Sequence, residues 1–179
     1  EIRAEIPDDD LTADNKRSSI VHIPDRIRVG VIGEAKERYY VQEALGTDGT
    51  AGLEVASIEP GAGGAEDYAS LDVMILCNVR RLGRGEVNSI RRRVSRGAGL
   101  FVLLGEGVDL RVYNEQVFPT LCPMSVTGVS GDRSGQRYTG FEPSGADHPV
   151  LGSLVKEDIR SPRFYVNYVA RIEGESRSV

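Results

Sequence analysis

Gly105-Glu106-Gly107 is the point in the chain where residue type and spacing come nearest to a reaction. The tripeptide follows Gly99-Leu100-Phe101-Val102-Leu103-Leu104, an apolar run that reads as a buried parallel strand. In α/β enzymes that hydrolyse amides and esters, the nucleophile is lifted on such a turn between two small residues. Here the middle position is Glu106, neither Cys nor Ser. The shape is that of a hydrolase elbow, without the group that attacks.

The other reactive side chains are scattered. Glu106 can serve as a general base only where apolar walls raise its pKa; a turn residue facing solvent is the simpler reading. Asp109 is placed to cap a helix starting at Leu110. Were Glu34, Glu106 and Asp109 to converge, three carboxylates could hold a cation. His148 precedes Pro149, which favours an extended or turn conformation and suits either a ligand contact or a hydrogen-bonded loop residue. His22 belongs to an alternating stretch and is expected to be exposed. Cys77 lies inside an apolar strand run and Cys122 precedes Pro123; both read as buried, inert thiols. Cys-x-x-Cys and His-x-x-x-His spacings are absent, so neither zinc nor any other cofactor is expected. Gly61-Ala62-Gly63-Gly64 is not followed by Gly-Lys-Ser or Gly-Lys-Thr, and Gly30 with Gly33 does not make a dinucleotide fingerprint. Asp8-Asp9-Asp10 with Asp14-Asn15 lacks the Gly and distal Glu of an EF-hand and reads as a solvated turn.

The elements that must position these groups follow from hydrophobic patterning. Residues 1–25 are polar and acidic, with alternating pieces at 2–6 and 19–23 that could be strands around a turn. From residue 27 strands and helices alternate. Strands are expected at 27–33, 53–58, 71–78 and 99–104, and helices at about 36–45, 85–96 and 110–118. In the first helix Val41, Ala44 and Leu45 form the apolar stripe, ended by Gly46; in the second, Val87, Ile90 and Val94 face inward, ended by Gly97. Arg91-Arg92-Arg93 with Arg96, and Arg80-Arg81 with Arg84, read as a solvated face, with an anion or acidic-partner site as the alternative. Further β segments are expected at 125–129, 137–141 and 163–172, and a turn into a short element at 147–151. Tyr39-Tyr40 and Phe164-Tyr165 with Tyr168 are expected to fill gaps between helix and sheet, the alternative being an exposed patch that would favour protein binding. Helical crossovers between strands imply a doubly wound, mostly parallel sheet. Ligands of such sheets bind beyond the carboxyl ends of the strands, so the loops after Gly33, Asn78 and Gly105 are the ones that matter.

With 179 residues, 40% hydrophobic and 27% charged, the chain can bury a real core. A net charge of −5 argues against nucleic acid or an anionic membrane surface as main partner. The chain contains no apolar run long enough for a membrane span. It starts at Glu1-Ile2-Arg3 and ends at Ser178-Val179 directly after a strand-like run, as expected of a soluble piece of a longer protein.

Asp9-Asp10-Leu11-Thr12-Ala13-Asp14-Asn15 resembles the Asp-x-Leu-x-x-Asp-Asn motif that closes a β domain in aerotolerance-type (BatA-type) bacterial membrane proteins. Leu71-Asp72 to Asn78-Val79, Arg96-Gly97-Ala98-Gly99-Leu100, Leu104-Gly105 and Asp147-His148-Pro149-Val150-Leu151 are similar, in that order, to the segment after it. That segment resembles the class I glutamine amidotransferase fold, a flavodoxin-like sheet. The resemblance spans roughly residues 8–172. It implies that 1–25 end a preceding β domain or linker and that 26–179 form the amidotransferase-like α/β domain. It also implies a parent with transmembrane helices, often with a von Willebrand A domain, and a location on the periplasmic or extracytoplasmic face of a bacterial inner membrane. True amidotransferases place Cys at the elbow and a His-x-Glu pair on a later loop. Here Glu106 holds the elbow, and Val150 stands two positions after His148.

The expectation is a non-catalytic amidotransferase-like module, in effect a pseudoenzyme, with a degenerate elbow at Gly105, Glu106 and Gly107. A pocket involving Gly33, Glu34, Asn78, Asp109 and His148 is the place for any ligand. Its partners are expected to be other protein domains of the same envelope protein or complex. The rival readings are a small-ligand sensor for a sugar-like molecule or an anion, and a hydrolase using Glu106 and His148.

Overall fold

The computed structural model describes residues 2–5, 16–19, 26–46, 52–140 and 162–172. Its centre is a four-stranded parallel sheet. The strands are β3 (Ile27–Ile32), β4 (Leu53–Ile58), β5 (Val73–Cys77) and β6 (Gly99–Leu103), in spatial order β4-β3-β5-β6. They follow β1 (Ile2–Glu5) and β2 (Lys16–Ser19), which pair antiparallel with Ile2 opposite Ser19. The first of those two strands lies where alternation puts it. The second falls at Lys16–Ser19; Ile20–Ile23 lie outside the described residues.

Three crossovers join the parallel strands. Helix α1 (Ala35–Leu45) links β3 to β4, α2 (Ala65–Ala69) links β4 to β5, and α3 (Arg84–Val94) links β5 to β6. The reversal of strand order between β3 and β5 makes the sheet doubly wound and opens a crevice at the carboxyl ends of those strands. Gly46 ends α1 at φ 69°, and Gly97 follows α3 at φ 98°, both in the left-handed region that favours glycine. The N-terminus of α3 is held by Glu86, whose carboxylate accepts the Gly83 N–H (2.8 Å), the Gly61 N–H (2.8 Å) and the Tyr68 hydroxyl (3.0 Å). One side chain thus fastens the glycine-rich loop 61–64 to the helix. Burial first, and then that carboxylate, push the Tyr68 hydroxyl well above its ordinary pKa.

After β6 the chain winds through α4 (Leu110–Val112), a π-wound turn (Tyr113–Val117) and α5 (Phe118–Leu121). It then enters β7 (Met124–Gly131), β8 (Thr139–Gly140), β9 (Arg163–Phe164) and β10 (Val166–Ile172). Strand β10 pairs antiparallel with β7, and β9 with β8. The Tyr113 hydroxyl donates to Val79 O (2.8 Å), and the Asn114 carboxamide exchanges two hydrogen bonds with Val126 (2.8 and 2.9 Å), so the π turn is bonded on both sides.

The core lies mainly on one face of the sheet. Ile32, Ile58, Met74, Leu76, Val79, Val87, Ile90, Tyr113, Val117 and Phe118 form its centre, with Leu100, Val102, Leu104 and Tyr168 packed around it. Among the described residues the opposite face carries Val29, Val31, Ile75 and Cys77 as its buried apolar side chains, under Val41 and Leu45 of α1.

Several sequence expectations change here. Strand β6 is buried on one face only: Phe101 is 59% exposed and Leu103 37%, because among the described residues β6 is an edge strand and α1 packs over β3, β4 and β5. An unbroken apolar run describes composition, whereas burial depends on a neighbour being there. Tyr39 and Tyr40 stack edge to face but lie on the solvent side of α1, and Phe164 and Tyr165 are also exposed; of the aromatic group only Tyr168 packs against the core. Ala44 is exposed; the residue α1 buries is Arg38. Among the α3 arginines, Arg91, Arg92 and Arg96 are exposed, whereas Arg93 is half-buried, bonding Leu71 O through Nε and pairing with Asp72 (3.1 Å). No described helix is long and apolar enough to cross a membrane.

Candidate functional site

The loops after β3, β5 and β6 meet in a cleft of about 520 Å³ lined by Glu34, Lys36, Glu37, Asn78, Arg80, Glu106, Gly107, Val108 and Asp109. It sits at the carboxyl ends of the strands, where a doubly wound sheet places its ligands. Glu34, Asn78, Glu106, Gly107 and Asp109 all border it, as the sequence leads one to expect. Gly33 lies behind the wall: a Cβ there would come 2.5 Å from Cys77 O, so glycine lets β3 and β5 end side by side. His148 lies outside the described residues.

Asn78 organises the elbow. It closes β5 at φ 46°, a left-handed conformation that Asn tolerates better than most residues. Its N–H donates to Leu103 O (2.9 Å), and its Oδ1 accepts the Gly107 N–H (3.0 Å). A Cβ on Gly105 would sit 2.6 Å from Asn78 Cγ, and one on Gly107 3.1 Å from Asn78 Oδ1. The two glycines therefore make room for a carboxamide, and need no nucleophile to account for them. Tyr168 of β10 donates to Gly105 O (2.9 Å), tying the elbow to the antiparallel strands.

Glu106 projects away from this packing. Its side chain is 83% exposed, with Arg133 at 4.0 Å as its ion-pair partner. No apolar wall surrounds it. Asp109 is committed elsewhere: it caps α4 by accepting the Val112 N–H (3.2 Å), and it takes two hydrogen bonds from Arg81, at 2.9 and 2.6 Å. Those bonds from Arg81 and Val112 hold its carboxyl below the usual carboxylate range. Glu34 pairs with Lys36 (3.7 Å). Although Glu34, Glu106 and Asp109 line one cleft, no group of metal-ligating side chains among the described residues converges on a point. The cation site weighed from sequence does not assemble.

Neither cysteine is a poised thiolate. Cys77 is 2% exposed, and burial pushes its thiol up despite the nearby Arg38 charge. Cys122 is half-buried and raised for the same reason. Both are free thiols.

The residues that sequence reasoning missed are Arg38 and Lys36. Arg38 lies beneath the β3 loop, donating to Gly33 O (2.5 Å) and Ile58 O (3.1 Å) and pairing with Glu59 (2.8 Å). Its Nε is buried without a partner among the described residues. A charged residue on the inner side of α1 leaves no signal beyond its position one turn before Val41 and two turns before Leu45. Arg80 and Lys36 face the cleft.

No protein-family model, no curated protein and no solved structure matches the chain. The cleft and the elbow are therefore read from their own chemistry.

Proposed function

We propose that this chain is a non-catalytic, amidotransferase-like module that serves interaction or assembly in a membrane-anchored bacterial envelope protein. One observation carries the first half of that reading: the turn that would lift a nucleophile carries an exposed Glu106, while Cys77 is buried and Cys122 half-buried, both with thiols pushed up by burial. Acyl transfer by a covalent route needs a nucleophile with a base in hydrogen-bond reach. Among the described residues Glu106 pairs with Arg133 (4.0 Å), and no base lies within hydrogen-bond reach of it. The order of strands, with the elbow after the fourth parallel strand, agrees with the amidotransferase-like resemblance, as does the crevice at the elbow. The envelope location rests on that resemblance alone.

A second reading has a specific observation in its favour. The cleft is open and polar, and it offers Arg80 and Lys36 beside the carboxylates of Glu34 and Glu37. That mixture suits a small anionic or sugar-like ligand better than an apolar one.

Glu106→Ala tests the inert elbow. The expected outcome is an unchanged fold by circular dichroism and a full-length parent that still complements its deletion. An intact fold with lost complementation would move the weight to a ligand-binding or hydrolytic cleft. Thermal-shift titration with phosphate, citrate and neutral hexoses separates the sensor reading: the module reading expects no shift with any of them.

A further inference from the structure

We infer that β6 is a self-association edge, through which two copies of this chain join their parallel sheets in antiparallel fashion about a two-fold axis. This deepens the interaction-module reading and rests on it; its test reads oligomeric state, whereas the inert elbow is tested by Glu106→Ala, so either can fail alone.

Among the described residues β6 pairs with β5 and with no other strand. The hydrogen bonds fix which of its groups are used. Gly99 N–H donates to Asp72 O (2.9 Å) and Leu103 O accepts from Asn78 N–H (2.9 Å), so the odd-numbered residues face β5. Alternation turns the N–H and C=O groups of Leu100, Val102 and Leu104 outward. On the sheet face beside α1, Phe101 is 59% and Leu103 37% exposed, next to Ile75 and Cys77 in register.

The edge also lacks the features that discourage pairing. Gly99–Leu103 contains no charge, no proline and no bulge. The other edge differs. Strand β4 carries Glu54, paired to Arg28 (3.3 Å), and its Ser57 accepts from Gln42 of α1 (2.6 Å). Its α1-side residues Leu53 and Val55 are packed into the second core.

The occupant follows from self-complementarity. With Val102 opposite Val102 of a second copy, Leu100 meets Leu104 and all three outward residues find antiparallel hydrogen-bonding partners. In that register Phe101 lies opposite Leu103 on the same face, twice per dimer, and forms an apolar cluster across the axis. A second copy thus satisfies the edge that no described strand pairs and covers the exposed Phe101 and Leu103 with one operation, with no like charges brought together.

Sedimentation velocity over a concentration series of the full chain is the direct measurement, with amide exchange at Leu100, Val102 and Leu104 read in parallel. A reversible dimer with those three amides protected is the expected result. Phe101→Lys combined with Leu103→Lys should raise the dissociation constant about 100-fold, because a buried aromatic anchor is lost twice per dimer. Phe101→Lys combined with Leu103→Glu places Lys opposite Glu in this register and should recover at least tenfold of that loss. Thermal melts confirm that both variants fold, since the two side chains point away from the main core. A monomer at every concentration, with the three amides either exposed or covered within one chain, would overturn the inference. So would a dimer that the two-lysine variant leaves intact.

Discussion

The two faces of the parallel sheet are closed to different degrees, and the difference separates what holds the fold from what it can offer a partner. On one face α2, α3, the π turn and α5 bury Met74, Leu76, Ile90, Tyr113 and Phe118 completely or nearly so. On the other, α1 covers β3 and β4 and leaves β6 bare. Stability is concentrated on the first face. The second has apolar surface to spare, and a chain gains nothing in its own stability from an exposed Phe101.

The sharpest way to break this contrast is to delete one large side chain on each face. Leu76→Ala removes a fully buried side chain from the closed face and should cost about 3–4 kcal/mol, with a residual cavity. Phe101→Ala, measured by urea unfolding at a concentration where single chains dominate, should fall within about 0.5 kcal/mol of the parent. Comparable losses at both positions would mean that β6 is covered within its own chain and that the faces are alike.

Arg38 refines the comparison, because it is the polar exception on the half-closed face. Its guanidinium donates to two backbone carbonyls and pairs with Glu59, yet its Nε has no partner among the described residues. Arg38→Met keeps the aliphatic volume and removes the charged donors, and should destabilise by roughly 1–2 kcal/mol in denaturant titrations. A neutral or stabilising result would show that the buried charge costs as much as its bonds return, as it does for some buried ion pairs.

How far this was legible in the sequence follows the same division. The β-α alternation, the caps at Gly46 and Gly97 and the meeting of the loops after β3, β5 and β6 were all readable, because each depends on local periodicity or on topology rules. The inward set Val87, Ile90 and Val94 was readable for the same reason. The exposure of β6 was not. An edge strand and a central strand share one composition here, and they are told apart by β6 having no second neighbour among the described residues. Arg38 and Arg93 were missed because burial of an arginine depends on distant carbonyls, at Ile58 and Leu71, that no local window contains. The aromatic pairs were misplaced because Tyr39 and Tyr40 are consecutive on a helix whose inner face lies elsewhere. For the elbow, the sequence showed which group stands at its tip but not what the glycines are for. Their role became plain only when the Asn78 carboxamide was seen between them.

The smallest expected effect concerns the rim where the two faces meet the cleft. Asp109 is held ionised by Arg81 and by the Val112 N–H, so its folded pKa lies below its unfolded one. The sign follows by linkage. The unfolded chain binds the proton first as pH falls, so the carboxylate's contribution is complete above the unfolded pKa and disappears as pH falls through the folded value. Asp109→Asn should therefore be slightly less stable than the parent near neutrality, and the gap in urea midpoints should close as the solution is acidified through the carboxylate range. Added salt should narrow the same gap at neutral pH, since Arg81 is largely solvent-exposed. A gap that stays constant with pH and salt would place the value of Asp109 in the geometry of its helix cap, which Asn also supplies in part, and would leave the Arg81 pair without a measurable role in holding the cleft's edge.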